Sequence, residues 1–236
     1  MGIAEIRYIE GLYWLWDEVL QRCPGLKMDN CASGGRRIDL ETCSRSLPLW
    51  RSDRPGALCD YGRWQDAALQ NQAMTAGLSR YVPFSTSGHV GADPYLWRSA
   101  FNAGISSLED CRGRDYPRDT LRLAIAEGQR LRPYYSGDFY VLSPVTVADT
   151  DWCVLQYHRP AEGDGLLLAF RRHLSPYTSF SCALHQIEPE VEYEVIQSYT
   201  YEQAEPVRMK GAELAKLALT IQACPGSLLV EYRRLK

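Results

Sequence analysis

The sequence has no Cys-x-x-Cys pair, although it holds eight cysteines, at positions 23, 31, 43, 59, 111, 153, 182 and 224. Zinc ribbons and dithiol redox motifs need that spacing, so no metal site is expected, and scattered thiols fit a reducing, cytoplasmic compartment. Long apolar runs are also missing: none approaches the ~20 residues of a membrane span. The opening MGIAEIRYIEG lacks the basic-then-apolar layout of a secretory signal, and Ile6 stands where a myristoylation motif requires Ser or Thr. Net charge is nearly absent, with 26 basic and 29 acidic residues leaving −3, so no field draws nucleic acid or an anionic membrane. A neutral partner is expected. Nucleotide signatures are absent too, because the turn Cys31-Ala32-Ser33-Gly34-Gly35 has no Lys-Ser/Thr ending and makes no G-x-G-x-x-G. There is no G-x-S-x-G elbow, and Ser87 and His89 stand too close together on one loop to act as nucleophile and base.

What is present supports a packed fold. Apolar residues make up 45% of the 236 positions, enough for one large domain or two modest ones. The 15 tyrosines and 6 tryptophans fill cores first, and such flat rings also suit the C–H face of a pyranose.

Ile9, Leu12, Tyr13, Trp16, Val19 and Leu20 recur at helical spacing, and Pro24-Gly25 stops that helix. Residues 26–29 and 47–50 read as short buried strands, with a helix-length segment over 36–46 between them. A helix over 62–78 and a third strand over 81–84 follow. Asp93-Pro94 caps a helix carrying Leu96, Trp97, Ala100, Phe101 and Ala103, and a helix over 115–131 has Pro117 in its first turn and Leu121, Ala124 and Ile125 on one face. After about residue 136 the pattern changes to runs such as DFYVL, WCVLQYH, LLLAFRR, YTSFSCAL, VEYEVI, KLALTIQ and SLLVEY, separated by turns that include Gly163-Asp164-Gly165. Short strands at such spacing suggest an antiparallel β-sandwich, with a domain boundary near Ser136-Gly137. The first half offers about three strands and four helices, whereas a complete (β/α)8 barrel needs about 250 residues. It is either a small open sheet or the closing part of a barrel.

Polar groups released at the ends of successive strands are how such barrels build active sites. Asp29 and Asp53 each follow an apolar run and are the best-placed carboxylates; the bland reading of either is a helix cap or a solvated charge. The turn at 31–35 could present backbone N–H groups to a hydroxyl or be a plain tight turn. Trp50 and Trp64 suit sugar stacking or the core, and His158, His173 and His185 suit a sheet surface better than catalysis.

The strings DNCASGGRRID and PLWRSD, then QNQAMTAGLSRYVPFSTSG, RLRPYYSGDFYVLS and the W-x-x-x-Q-Y-x-R-P segment at 152–160, together resemble the α-galactosidases of glycoside hydrolase family 36, within clan D. The resemblance runs in order along nearly the whole chain. It implies an α/β plus all-β fold: residues 1–136 as the last strands and helices of a (β/α)8 TIM barrel, and residues 137–236 as a C-terminal antiparallel β-sandwich. Family members are retaining enzymes that use two carboxyl groups about 5–5.5 Å apart. Their acid/base aspartate lies in a W-x-S-D motif, which falls on Asp53. Their galactose-contacting cysteine turn falls on Cys31, Ser33 and Gly34, with Ser33 replacing the commoner glycine. Arg63 falls near an arginine that follows the acid/base motif in the family, and Trp50, as a ring suited to stacking, joins it among the expected substrate contacts. The implied nucleophile sits in a Lys-x-Asp or Lys-Trp-Asp motif on a strand before the cysteine turn, and only 25 residues precede Leu26. Trp16-Asp17 lies on the first helix and is no substitute.

The resemblance therefore implies a retaining hydrolase of terminal α-galactosides, without metal or organic cofactor, of which this chain is a fragment carrying the acid/base and not the nucleophile. In isolation it is expected to be inactive. An α-galactoside is the expected ligand, and a homo-oligomer or the missing N-terminal part of the enzyme is the expected protein partner. The alternative is a non-catalytic carbohydrate-binding or assembly module of a split or degenerate glycosidase.

Overall fold

The computed structural model describes residues 2–31, 34–47, 50–54, 64–89, 91–102, 104–107 and 112–235. Helix α1 (Gly2–Arg22) leans on the protein through the face its spacing predicts. Ile9, Leu12, Tyr13, Trp16, Val19 and Leu20 are half-buried, while Ile3, Ile6, Trp14 and Leu15 stay exposed. Arg45 clasps it from outside, donating from Nε to Asp17 Oδ1 at 2.7 Å and laying its guanidinium over the Tyr13 ring.

Residues 36–46 do not form one helix. Only α2 (Leu40–Cys43) is helical, held by an Asp39–Thr42 capping box. The Arg37 carbonyl is already taken by the Asn30 Nδ2–H and the Thr42 hydroxyl, so the segment cannot wind up earlier. Helix α3 (Trp64–Leu78) matches expectation. The third strand does not lie at 81–84. There the Leu78 carbonyl accepts from both Tyr81 and Val82, continuing the helix end as a turn and leaving Tyr81 exposed. The strand is instead β1 (Gly88–His89), preceded by a bridge at Thr86. Small residues let it run through a crowded place: Ser85 and Ser87 are fully buried, Asn71 of α3 donates to the Gly88 carbonyl, and Asn102 donates to that of Ser85.

Helix α4 (Pro94–Ala100) carries the expected cap, with Asp93 accepting from the Tyr95 and Leu96 amides. Strand β2 (Ser106–Ser107) runs parallel to β1. Helix α5 (Arg118–Leu131) starts later than expected because Pro117 is its N-cap. Its buried face is Ala124, Glu127, Gly128 and Leu131, while Ile125 is exposed. The parallel contacts Asp29 with Leu47, Trp50 with Thr86, and Gly88 with Ser106 join chain segments in sequence order, with helices between them.

Beyond a 3₁₀ turn (Arg132–Ser136) come β3 (Asp138–Val141), β4 (Trp152–Arg159), β5 (Asp164–Arg171), β6 (Ser179–Ser181), β7 (Glu192–Ser198) and β8 (Val207–Lys210). A short α6 (Gly211–Leu214), β9 (Ala218–Thr220) and β10 (Gly226–Arg234) complete the chain. Six strands form an antiparallel sheet in the order β3-β4-β5-β10-β7-β8, and β6 pairs with β9 in a second, two-stranded sheet. The apolar runs of the sequence fall on these strands. Strand β8 has no such run, because it is an edge strand bearing Arg208 and Lys210.

Both faces of the six-stranded sheet are covered, which is why β4, β5 and β10 are apolar almost throughout. On one face Leu155, Tyr157, Leu168, Phe170 and Leu229 pack with Ala68, Trp97, Phe101, Ala124 and Tyr135 from the helices. On the other, Val154, Leu167, Val195 and Val230 pack with Leu214, Leu217, Leu219 and Ile221. His158 is not a surface residue: it is buried, with Nδ1 3.0 Å from the Tyr232 hydroxyl. Burial lowers its pKa.

One core thus crosses the position where the sequence changes character, and buried arginines tie the two halves together. Arg98 of α4 grips Glu127 of α5 with two bonds of 2.8 and 2.7 Å, and donates further to the carbonyls of Ser198 and Thr200. Arg172 donates to Gln72 of α3 at 3.0 Å and to the carbonyls of Thr146 and Ala148.

Candidate active site

The two motifs of the 26–53 stretch meet in space. Asn30 is pinned by its amide N–H to the Leu47 carbonyl at 3.0 Å, and Arg51 by its amide N–H to the Thr86 carbonyl at 3.0 Å. These bonds fix where the chain leaves each parallel segment. Arg51 then sends its side chain into the helical layer, donating to Thr75 Oγ1 at 2.8 Å and to the Asn71 carbonyl and Oδ1 of α3. Burial pushes its guanidinium down to about 10, and its Nε has no partner among the described residues. Side chains of adjacent strand residues point to opposite faces, so Trp50 looks away from the helices.

On that face the Trp50 indole N–H donates to Asp53 Oδ1 at 2.6 Å. A bond this short to a carboxylate is of the strong, charge-assisted kind. Gly34 closes over the same carboxyl group. Its φ is +71°, and a Cβ built there would lie 2.7 Å from the Asp53 nitrogen, 2.8 Å from Cγ and 2.9 Å from Oδ2. Gly35, at φ +86°, is needed for a second reason, because a Cβ there would overlap the Arg51 carbonyl. Thus both glycines of the cysteine turn are required by the W-R-S-D segment of the neighbouring strand.

Of the residues expected at the site, Gly34, Trp50 and Asp53 are brought together. Cys31 is an exposed free thiol at the start of the same turn. Ser33 and Arg63 lie outside the described residues. Asp29 is exposed and pairs through its backbone with Leu47. The triplet Lys27-Met28-Asp29 spells Lys-x-Asp, but on the strand of the cysteine turn itself rather than an earlier one. The sequence pointed to Gly35 only as part of the turn at 31–35, and gave no sign of Arg51. The paired glycines were a readable signal, whereas nothing in the sequence marks Arg51 as buried.

The described residues contain no cluster of His, Cys, Asp and Glu able to hold a metal ion. A cavity of about 510 Å³, lined by Asp93, Tyr95, Tyr199, Thr220 and Ser227 among others, shares no residue with the 26–53 stretch. The Asp53 face is therefore separate from it.

No family model matches the chain. A probable α-galactosidase C of Aspergillus terreus is 27% identical over 239 aligned residues, which cover 97% of this chain and 30% of that protein. The chain is thus similar in sequence to α-galactosidases. An Escherichia coli α-galactosidase is 32% identical over a shorter stretch of 80 residues, 34% of this chain and 10% of its own length. Among solved structures, the α-galactosidase of Lactobacillus brevis superposes with a TM-score of 0.75 over 98% of this chain and 32% of its own, at 20% identity. A family 36 enzyme of Geobacillus stearothermophilus, solved as a variant with raffinose, gives 0.74 over 97% of this chain and 32% of its own, at 19% identity. The chain thus spans about a third of the length of these α-galactosidases.

Proposed function

We propose that this chain supplies one wall of an α-galactosidase-type retaining site, with Asp53 as its general acid/base. The observation that carries this reading is the contact between Gly34 and the Asp53 carboxyl group, which makes one surface of the cysteine turn and the W-R-S-D motif. In this role Asp53 protonates the glycosidic oxygen as the bond to C1 breaks, and later takes a proton from the water that releases the sugar. The turn at 31–35, the Trp50 ring and Arg63 would contact the galactoside. The ordered parallel contacts support reading residues 1–136 as the closing strands and helices of a (β/α)8 barrel, followed by a β-domain over 137–236. Terminal α-galactosides such as raffinose, the sugar bound by the Geobacillus relative, are the substrate class.

The reaction also needs a nucleophilic carboxylate facing Asp53, and the proposal takes it from outside the 236 residues. Pure chain is therefore expected to release no nitrophenol from an aryl α-galactoside. Rapid release that disappears in Asp53→Asn would contradict the half-site reading. The exposed Ile3, Ile6, Trp14 and Leu15 of α1 favour a second reading, a non-catalytic assembly module. Calorimetric titration with galactose, combined with the solution mass, separates the two: the first reading requires binding that weakens in Asp53→Asn, and the second requires an oligomer indifferent to it.

A further inference from the structure

Sugar stacking would use the ring face of Trp50, whereas its indole edge is committed to Asp53. Its N–H donates to Asp53 Oδ1 at 2.6 Å, leaving Oδ2 as the other carboxyl oxygen. The base of the indole is immobile for three reasons. Trp50 pairs in parallel with Thr86, the next amide is bonded to the Thr86 carbonyl, and the Arg51 side chain is buried against α3. Beside Oδ2 stands Gly34, packed so close that any other residue there would place a carbon 2.9 Å from that oxygen. The arrangement distinguishes the two oxygens of one carboxyl group.

We infer that Trp50 is the positioning residue of Asp53: the indole N–H holds Oδ1, so that the transferable proton is carried on Oδ2, the oxygen beside Gly34. This rests on Asp53 being the proton donor of the proposed site. An oxygen that accepts a strong hydrogen bond is the poorer place for a proton, so the proton goes to the other. Trp50 itself exchanges no proton with the substrate.

Two measurements on the full chain test it. In ¹⁵N-labelled protein the Trp50 indole resonance is assigned by its absence in Trp50→Phe. Its hydrogen exchange is then expected to quicken about tenfold in Asp53→Leu, with the other indoles unchanged. Unaltered exchange would overturn the bond and the role together. The second measurement supplies azide in place of the nucleophile that the proposed half-site lacks. Azide forms the C1–N bond as the C1–O bond breaks, and Asp53 gives its proton to the departing oxygen, yielding β-galactosyl azide and the alcohol. Methyl α-galactoside needs that proton, and a dinitrophenyl α-galactoside does not. Trp50→Phe is expected to lower kcat on the methyl glycoside at least tenfold while leaving the dinitrophenyl glycoside within twofold. Equal losses on both, or a rise in KM alone, would overturn the positioning role in favour of sugar stacking. No loss on the methyl glycoside in Asp53→Asn, or no azide product from the unaltered chain, would overturn the proton-donor reading, and the positioning role with it. If Trp50→Phe does not fold by its amide spectrum, the indole is assigned instead from nuclear Overhauser contacts to its own sequentially assigned backbone amide, and the exchange result in Asp53→Leu decides.

Discussion

Replacing Glu127 with Gln should destabilise both halves of the protein at once. Arg98 and Glu127 are almost wholly inaccessible, at 1% and 3%, and their two bonds measure 2.8 and 2.7 Å. Glutamine keeps the shape but removes the charge, leaving a buried guanidinium with only neutral acceptors: the new amide oxygen, the Ser198 and Thr200 carbonyls and the Ser227 hydroxyl. Breaking a buried pair from one side costs about 3–5 kcal/mol, a large part of a total stability of roughly 5–15 kcal/mol. For a chain of this size that is a fall in Tm of roughly 10 °C. Urea unfolding followed by far-UV ellipticity and by tryptophan emission would report helices and sheet together, since Trp97 lies in α4 and Trp152 in β4. The midpoint should drop equally in both signals. Replacing the pair together, Arg98→Met with Glu127→Leu, should recover most of the loss, because two apolar residues leave no charge stranded. A loss under about 1 kcal/mol, or a drop in only one signal, would refute the shared core, since coupling through Arg98 should exceed that of an exposed ion pair.

Gly34→Ala should cost roughly 2–4 kcal/mol, from forcing a side chain into a left-handed backbone and from pushing on Asp53, and it should also disturb Trp50 emission; a change under about 0.5 kcal/mol would show that the turn is not seated on that carboxyl. Acid should weaken the fold through His158. Burial, its largest influence, lowers the imidazole pKa below 6.5, while Asp138 and Asp164 oppose the shift. As pH falls the unfolded chain takes up the proton first. Stability from this group is therefore complete above about 6.5 and is lost as the pH falls through that value toward the folded pKa. His158→Gln should flatten the decline measured by urea titration between about pH 7 and pH 5, and an unchanged slope would assign the acid sensitivity elsewhere.

Much of this was legible in the sequence because it depended on residue type. The apolar runs of β4, β5 and β10 follow from a sheet buried on both faces, and the Asp93-Pro94 cap follows from hydrogen-bond chemistry at a helix start. The cysteine turn and the W-R-S-D segment were readable as motifs, and their contact through Gly34 and Asp53 joins them. What escaped depended on tertiary partners. β1 is made of small residues with no strand pattern, and its position is set by Asn71 and Asn102, which reach it from distant parts of the chain. Glu127 on the buried face of α5 looks misplaced until Arg98 is seen opposite it. Arg51 reads as a polar strand-end residue, yet its side chain is sealed beneath α3.

The most direct test of Asp53 as proton donor is product analysis by NMR after incubating the pure chain with methyl α-galactoside and azide. The unaltered chain is predicted to form β-galactosyl azide and methanol, and Asp53→Asn to form them at least a hundredfold more slowly, the usual scale of a general-acid contribution being about 10²–10⁴-fold. Equal rates from the two proteins, or hydrolysis that needs no azide, would contradict the account.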